Sequence, residues 1–345
     1  MNDRDSNISK LANIVGGYRQ DELKSRTDEE RIANWLAQFD ERAQDVIIEE
    51  TAHVFGRLYY DWEKIDRFLE SIIQRLLERS DGNGNLDDYC FYDAQKEGLS
   101  QTKLVSRLLE LAGQNHGLLL DRTPSERKTK FVYIDDGLFT GSHLVKDFRA
   151  LLKNLPENST FEAVFIFGYI SGIKYAREEL RKLAKSKSIG IVIIAKEKMN
   201  NRIYSPFLGD GIIRLQDWLW PDDSSEREPS VERYASTLDG HGYPIFRDKA
   251  LSDLSQIFSS EGNREILERE FLLKGIEILS SIENSKGLRP LGYSPYDSLG
   301  FGAFCASDIN VPNTCPLALW WSLPVNGKDW VPLFPRRVGS VRSAF

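Results

Sequence analysis

The sequence is poor in the residues that most often carry nucleophilic or metal chemistry. It has three cysteines and four histidines among 345 residues, and no two cysteines form a C-x-x-C pair. An odd number of separated cysteines fits neither a disulfide framework nor a zinc site. We therefore expect reduced, structural thiols at Cys90, Cys305 and Cys315, and the sequence offers no evident cysteine or histidine nucleophile.

Long apolar runs and an excess of positive charge are also absent. No run approaches the roughly 18 to 20 apolar residues of a membrane span, and residues 1–10, MNDRDSNISK, lack the apolar core of a secretory signal. The formal net charge is −7, whereas a broad nucleic-acid surface needs a basic face. We expect a cytoplasmic protein without membrane association or a broad nucleic-acid surface.

The length and the apolar periodicity predict three regions. Residues 1–80 form a helical N-terminal region, in which Thr27-Asp28-Glu29-Glu30 reads as a capping box that starts a helix. Residues 84–220 alternate short apolar strands with helices, which is typical of an α/β fold with a parallel sheet flanked by helices. Residues 221–345 form a helical and irregular C-terminal cap that is rich in aromatic residues.

One strand–loop–helix segment has the composition of an anion site. An apolar strand, Lys130–Ile134, precedes Asp135 and Asp136, a small-residue loop from Gly137, and a helix from Ser142. A strand of this kind delivers its loop to the carboxyl edge of the sheet, where backbone amides and the next helix dipole can hold a phosphate. Gly141 would let the backbone approach that phosphate. Two carboxylates beside a phosphate are reasonable if they face sugar hydroxyls or a magnesium ion.

This segment resembles the phosphoribosyl-pyrophosphate loop of type I phosphoribosyltransferases. The resemblance implies that Asp135 and Asp136 bind the ribose 2- and 3-hydroxyls and hold Mg²⁺ indirectly, through those hydroxyls or water. It also implies a loop for the ribose 5-phosphate made of Gly137, Leu138, Phe139, Thr140, Gly141 and Ser142. Phe139 departs from the family pattern, which usually has a small hydroxyl residue there. The alternative is an ordinary βα turn with an acidic strand end and a Ser/Gly helix cap.

The same resemblance implies two loops that contact pyrophosphate. Lys96 and Ser100 lie before a helix predicted from Thr102, where the family has its pyrophosphate loop. Arg127 and Lys128 belong to a basic stretch before the motif strand, where the family has a mobile loop. The alternatives are an N-capped helix start and an ordinary solvated loop.

Four residues are candidates for contacts with a base or acceptor. We expect Tyr169 and Lys196 to follow strand ends and to face the same cleft, although core or surface roles would explain them equally well. Asn310 and Asn313 could read a base edge, but their spacing does not require it.

The C-terminal segment carries a second resemblance. Arg289–Tyr293, Ser298–Gly302 and Asn310–Pro316 resemble the C-terminal signature of phosphoribosyltransferase-like proteins in bacterial conflict and anti-phage systems. The alternative is a Gly/Pro-rich cap that packs Trp320 and Trp321 on the core.

These resemblances imply a pentosyltransferase that binds phosphoribosyl pyrophosphate or a nucleotide with Mg²⁺ and reacts at the ribose anomeric carbon, in nucleotide metabolism or antiviral defence. Such chemistry needs positioning and charge stabilisation more than a nucleophile. The alternative is a non-catalytic sensor of such a ligand that acts through a protein partner. The acceptor, the partner and any homo-oligomer are left open by the sequence.

Overall fold

The chain divides into two compact units. The computed structural model describes residues 3–23, 26–80, 86–94, 100–124, 127–201, 216–239, 244–248, 255–282, 285 and 287–336. One unit comprises residues 62–199, and the other comprises residues 1–61 with 200–345. This division by packing does not coincide with the three regions 1–80, 84–220 and 221–345, which stay a prediction about domains.

The described residues contain ten α-helices and six β-strands. The helices are α1 (Asp3–Val15), α2 (Glu29–Leu36), α3 (Gln44–Leu58), α4 (Trp62–Glu78), α5 (Ser100–His116), α6 (Ser142–Leu151), α7 (Ile170–Ala184), α8 (Pro229–Ala235), α9 (Glu261–Ser280) and α10 (Leu317–Trp320). The strands are β1 (Tyr59–Tyr60), β2 (Tyr89–Tyr92), β3 (Lys130–Leu138), β4 (Thr160–Tyr169), β5 (Gly190–Met199) and β6 (Ala306–Ser307). None of the helices that the structure describes is long and apolar enough to cross a membrane.

A four-stranded parallel sheet in the order β2-β3-β4-β5 forms the centre of the unit 62–199. In β3, Phe131, Val132, Tyr133 and Ile134 are each at most 1% exposed. Burial on both faces explains why these residues form a continuous apolar run instead of an alternating one. The predicted α/β class, with a parallel sheet flanked by helices, is confirmed.

Helices cover both faces of this sheet. Phe131 and Tyr133 on β3 pack in one cluster with residues of α6 and α7. Glu162 on β4 points to the opposite face, because side chains alternate along a strand. There it pairs with Arg75 of α4 and with Arg79, which directly follows that helix, and α4 packs against α5. The two faces are thus covered by different helices.

The direction of winding changes between β2 and β3. Helix α5 follows β2, and the chain then returns beside β2, where Cys90 and Asp121 form a parallel bridge. From there it continues to β3, which lies on the other side of β2. The carboxyl ends of β2 and β3 therefore mark a topological switch point, where open α/β sheets bind their ligands.

The other unit joins both ends of the chain. The indole Nε1 of Trp35 donates to the Ala318 carbonyl at 2.9 Å, and the Thr27 hydroxyl donates to the Leu333 carbonyl at 3.3 Å. Trp320 and Trp321 are at most 2% exposed within this unit. The C-terminal segment therefore packs these indoles in the core of its unit, as expected for a Gly/Pro-rich cap that packs Trp320 and Trp321 on the core.

The predicted capping box is wrong by one residue. Asp28, not Thr27, is the N-cap of α2, and its carboxylate accepts from the Arg31 amide at 2.9 Å. Thr27 is instead 1% exposed and holds the C-terminal segment. Thr and Asp both cap helices well. Here the Thr27 hydroxyl makes a long-range hydrogen bond, and Asp28 caps the helix.

Candidate functional site

The two aspartates lie within β3 and not after it. The sequence predicts that the strand ends at Ile134, but pairing with β4 continues through Asp135↔Phe165 to Leu138↔Gly168. Asp135 and Asp136 are therefore buried, at 8% and 7% exposure, near the carboxyl edge of the sheet. Strand pairing, which is a tertiary effect, extended the element past its apolar run.

Asp135 is held by donors from two directions. Its Oδ1 accepts from the Asp136 amide at 2.9 Å and from the Ser100 hydroxyl at 3.1 Å. Ser100 is the first residue of α5, so this carboxylate lies at the positive end of a helix dipole. Burial, followed by the charge of Asp136, nevertheless raises the pKa of Asp135 well above its ordinary value.

Tyr133 is a site residue that the sequence analysis missed. Its hydroxyl donates to Asp147 Oδ2 at 3.0 Å and lies 3.5 Å from Asp135 Oδ2. Burial, and then the charge of Asp135, raises the pKa of Tyr133 well above its ordinary value, so the hydroxyl keeps its proton. The period of two along a strand could have indicated this, because residues 133 and 135 share a face.

Gly141 ends the turn and caps α6 in a left-handed conformation, with φ of 81°. A Cβ at this position would lie 2.6 Å from the Gly172 carbonyl oxygen of α7. Close packing on α7 therefore requires glycine here, whereas the sequence analysis explained it by approach to a phosphate. The Ser142 amide donates to the Thr140 hydroxyl at 3.3 Å, which orders the turn.

Phe139 forms an aromatic wall at the turn. A Cβ at Gly137 would overlap its ring, so the ring covers the Gly137 backbone. The ring centroid is 5.7 Å from that of Tyr169, the last residue of β4, which is fully buried. Tyr169 is thus the last residue of its strand, not a residue after the strand end as predicted, and it packs in the core behind Phe139.

The structure brings Ser100 to Asp135 but does not bring Lys128 there. Lys128 lies before β3, where its Nζ contacts the Asp87 carbonyl oxygen at 2.7 Å and the Asp121 carboxylate at 3.5 Å. At about 3.3 Å per residue, the strand from Lys130 to Asp135 spans roughly 17 Å. The basic stretch therefore begins at the opposite edge of the sheet from the aspartates.

The remaining candidates lie elsewhere on the same unit, in the other unit, or outside the described residues. Arg127 is exposed next to Lys128, and Lys96 lies outside the described residues. Lys196 does not follow a strand end as predicted, because β5 continues to Met199 and presents Lys196 to solvent. Asn310 and Asn313 belong to the other unit, where the Asn310 side chain accepts from Arg336 at 3.4 Å and the Asn313 carbonyl accepts from the Tyr293 amide at 2.8 Å.

The carboxylates fit a magnesium ion that takes most of its ligands from a substrate. Among the described residues, no group of three or more His, Cys, Asp or Glu side chains could hold a metal alone. Magnesium usually keeps several waters and binds through one or two carboxylates together with substrate oxygens. Asp135 and Asp136 provide that number of carboxylates at one edge of the sheet.

The fold and this site define a phosphoribosyltransferase-like α/β protein: a parallel sheet with an aspartate pair and a glycine-capped turn at its switch point. The model of one protein family, PRTase-CE, matches residues 32–336, and the chain belongs to this family of phosphoribosyltransferases from conflict systems. Comparisons with the curated proteins and with the solved structures found no match. Membership implies a phosphoribosyltransferase-like role in conflict systems.

Proposed function

We propose that the unit 62–199 binds the 5-phosphoribosyl group of phosphoribosyl pyrophosphate or a nucleotide, together with Mg²⁺. The reaction then takes place at the ribose anomeric carbon, with a base or water as acceptor, and serves bacterial anti-phage defence. The observation that carries this proposal is the buried pair Asp135 and Asp136 at the carboxyl edge of β3, directly before the turn into α6.

The turn and the first residues of α6 suit the 5-phosphate. Ser142 and His143 are exposed at the N-terminus of α6, where the helix has unsatisfied amides and a positive dipole end. The Thr140 and Ser142 hydroxyls add two donors. Hydrogen bonds to a charged group contribute about 1.5–3 kcal/mol each, so a few of them hold a monoester phosphate without a lysine.

The two aspartates suit the ribose hydroxyls. Oδ1 of Asp135 already accepts two hydrogen bonds from the protein, whereas Oδ2 has the Tyr133 hydroxyl at 3.5 Å and can accept a further hydrogen bond from a ligand. Neighbouring carboxylates would repel a phosphate at the same point, but they accept readily from hydroxyl donors. A pentose 5-phosphate has a phosphate anion at one end and hydroxyl donors at the other, which matches the turn and the aspartates.

Magnesium, when bound, would neutralise charge that develops on the departing group. The protein's own contribution is to hold the ribose between the aspartates and the α6 turn, so that the anomeric carbon meets its acceptor in a fixed orientation. Carboxyl oxygens of Asp135 and Asp136 beside the ribose also stabilise the positive charge that develops on the sugar ring during bond cleavage.

Calorimetry with phosphoribosyl pyrophosphate and Mg²⁺ tests this proposal. The Asp135→Asn/Asp136→Asn variant should lose nearly all binding, because amides hold a ribose hydroxyl and its metal far less well than carboxylates. The matched control is Asp87→Asn/Asp88→Asn, a second adjacent pair in the same unit that is exposed to solvent. That control should bind like the wild type.

Equal affinity of the wild type and the Asp135→Asn/Asp136→Asn variant would remove the proposal. Assays of pyrophosphate release with and without bases then separate the two forms of the function. Turnover supports the transferase or hydrolase, whereas binding without turnover supports a sensor that acts through a partner.

A further inference from the structure

The hydroxyl of Tyr133 lies between the strand that carries Asp135 and the helix that carries the turn. It is 3.5 Å from Asp135 Oδ2 and 3.0 Å from Asp147 Oδ2 on α6. Tyr133 is 1% exposed, so bulk water cannot replace these two carboxylates as partners of the hydroxyl. One buried donor is therefore shared between two elements of the proposed site.

The other oxygen of Asp135 is already fixed by the protein. Oδ1 accepts from the Asp136 amide and from Ser100, both of which lie within 3.1 Å. Both oxygens turn together about the Cβ–Cγ bond, so these contacts restrain the carboxyl group from the Oδ1 side. The Tyr133 hydroxyl adds a partner on the Oδ2 side.

Asp147 fixes the Tyr133 hydroxyl from the helix side. Its carboxylate is 14% exposed and also lies 3.4 Å from Nε2 of His143, at the exposed start of α6. The series His143, Asp147, Tyr133 and Asp135 thus connects the turn proposed for the phosphate with the carboxylate proposed for the ribose.

We infer that Tyr133 is a positioning residue of this site, whose hydroxyl orients Asp135 Oδ2 toward a ribose hydroxyl. The inference rests on the proposed function, and it adds a residue outside the segment 135–142 that the ligand need not touch. The Tyr133 hydroxyl reaches Asp135 directly but the start of α6 only through Asp147, so its loss should weaken binding of a phosphoribosyl ligand and leave a bare phosphate nearly unaffected.

The test compares the wild type with Tyr133→Phe by calorimetry, using phosphoribosyl pyrophosphate with Mg²⁺ and, separately, inorganic phosphate. Loss of the hydroxyl beside Asp135 Oδ2 should weaken binding of phosphoribosyl pyrophosphate about tenfold, the order expected for one hydrogen bond. Affinity for inorganic phosphate should not change. The control is Tyr89→Phe, which removes a hydroxyl from β2 at the amino end of the same sheet.

The outcomes separate the inference from the proposed function. If Tyr133→Phe binds phosphoribosyl pyrophosphate like the wild type, while Asp135→Asn/Asp136→Asn does not bind, only the inference is overturned. Equal weakening for inorganic phosphate would show a general disturbance of the fold and would also overturn it. If the wild type itself does not bind phosphoribosyl pyrophosphate with Mg²⁺, the proposed function fails, and the inference fails with it.

Discussion

Asp135 shows at the scale of one residue how a binding site conflicts with stability. A carboxylate near the edge of a sheet is costly to bury, and a second carboxylate follows it directly in the chain. The amide of Asp136 and the hydroxyl of Ser100 offset only part of this cost, since the pKa of Asp135 remains raised. Such unfavourable burial is typical of functional positions.

Asp135→Asn should therefore stabilise the ligand-free protein near neutral pH. The folded-state pKa of Asp135 is raised above the unfolded value of about 3.9. Its contribution to stability is present below that unfolded value and is lost as the pH rises through the folded pKa. The asparagine variant does not titrate, so its advantage over the wild type should grow with pH over this range.

Urea unfolding at several pH values from about 4 to about 8 measures the difference. Asp88→Asn is the control, because Asp88 is exposed beside Lys130 and should shift the free energy of unfolding by less than about 1 kcal/mol. A wild type that is more stable than Asp135→Asn at pH 8 would contradict the account of Asp135.

Gly141 depends on two separate requirements, and the chain offers a control that separates them. Both glycines have a left-handed backbone, with φ of 65° at Gly117 and 81° at Gly141. Nothing lies within 4 Å of a potential Cβ at Gly117, whereas a Cβ at Gly141 would meet α7. Gly117→Ala should cost about 1–2 kcal/mol through backbone strain alone. Gly141→Ala should cost about 1–3 kcal/mol more, through overpacking against α7.

Chemical denaturation of both variants measures this difference. Equal costs would show that α7 moves away without penalty and that the contact with Gly172 is unimportant for the turn.

At the scale of elements, the sequence predicts the type of each element of the α/β unit better than its ends. The apolar run of β3 indicated a buried strand, but the run stops at Ile134 whereas the pairing continues to Leu138. For the same reason Lys196 was expected after a strand and lies inside one. Polar residues at the end of a paired strand give no local sign that the strand continues, because the partner supplies the hydrogen bonds.

The contact between α7 and the β3–α6 turn was not predictable from the local sequence pattern. Gly172 lies in the first turn of α7, where a Cβ would overlap the carbonyl oxygen of Phe139. In the sequence it is an isolated glycine in a helical pattern, which is tolerated for many reasons. Only the packing of α7 against the β3–α6 turn gives it a specific one.

Gly172→Ala should destabilise the protein and weaken phosphate binding. In most helices this change stabilises by about 0.5–1 kcal/mol, but here the added carbon would push α7 away from Phe139. Gly56→Ala in α3 is the control, because nothing lies within 4 Å of its potential Cβ, and it should be neutral or stabilising. Thermal unfolding and phosphate titration test both variants, and a stabilised Gly172→Ala would show that the contact is loose.

At the scale of the whole molecule, the pairing of the chain ends was beyond the sequence. The sequence analysis placed residues 1–80 and 221–345 in separate regions, whereas residues 1–61 and 200–345 pack as one unit. Its contacts, such as Trp35 with Ala318, join residues almost three hundred positions apart. Hydrophobic periodicity reports that a face is buried but not which distant segment buries it.

A buried ionic network holds remote segments of this unit together. Glu268 on α9 accepts from Arg264 at 2.8 Å and from Arg247 at 3.1 Å, and all three side chains are at most 1% exposed. Its carboxylate also accepts from the Trp220 amide at 2.8 Å. Segments near residues 220 and 247 thus meet α9 at one carboxylate.

Glu268→Gln should destabilise the chain by about 3–5 kcal/mol, because it removes the carboxylate partner of buried Arg264 and leaves buried Arg247 with Glu261. The control is Glu277→Gln on the same helix, where the carboxylate is 43% exposed and pairs with Lys274 at 2.9 Å. An exposed pair of this kind contributes at most about 1 kcal/mol. Urea unfolding of both variants tests the comparison: similar small effects would mean that packing of the apolar core, and not the ionic network, holds these segments on α9.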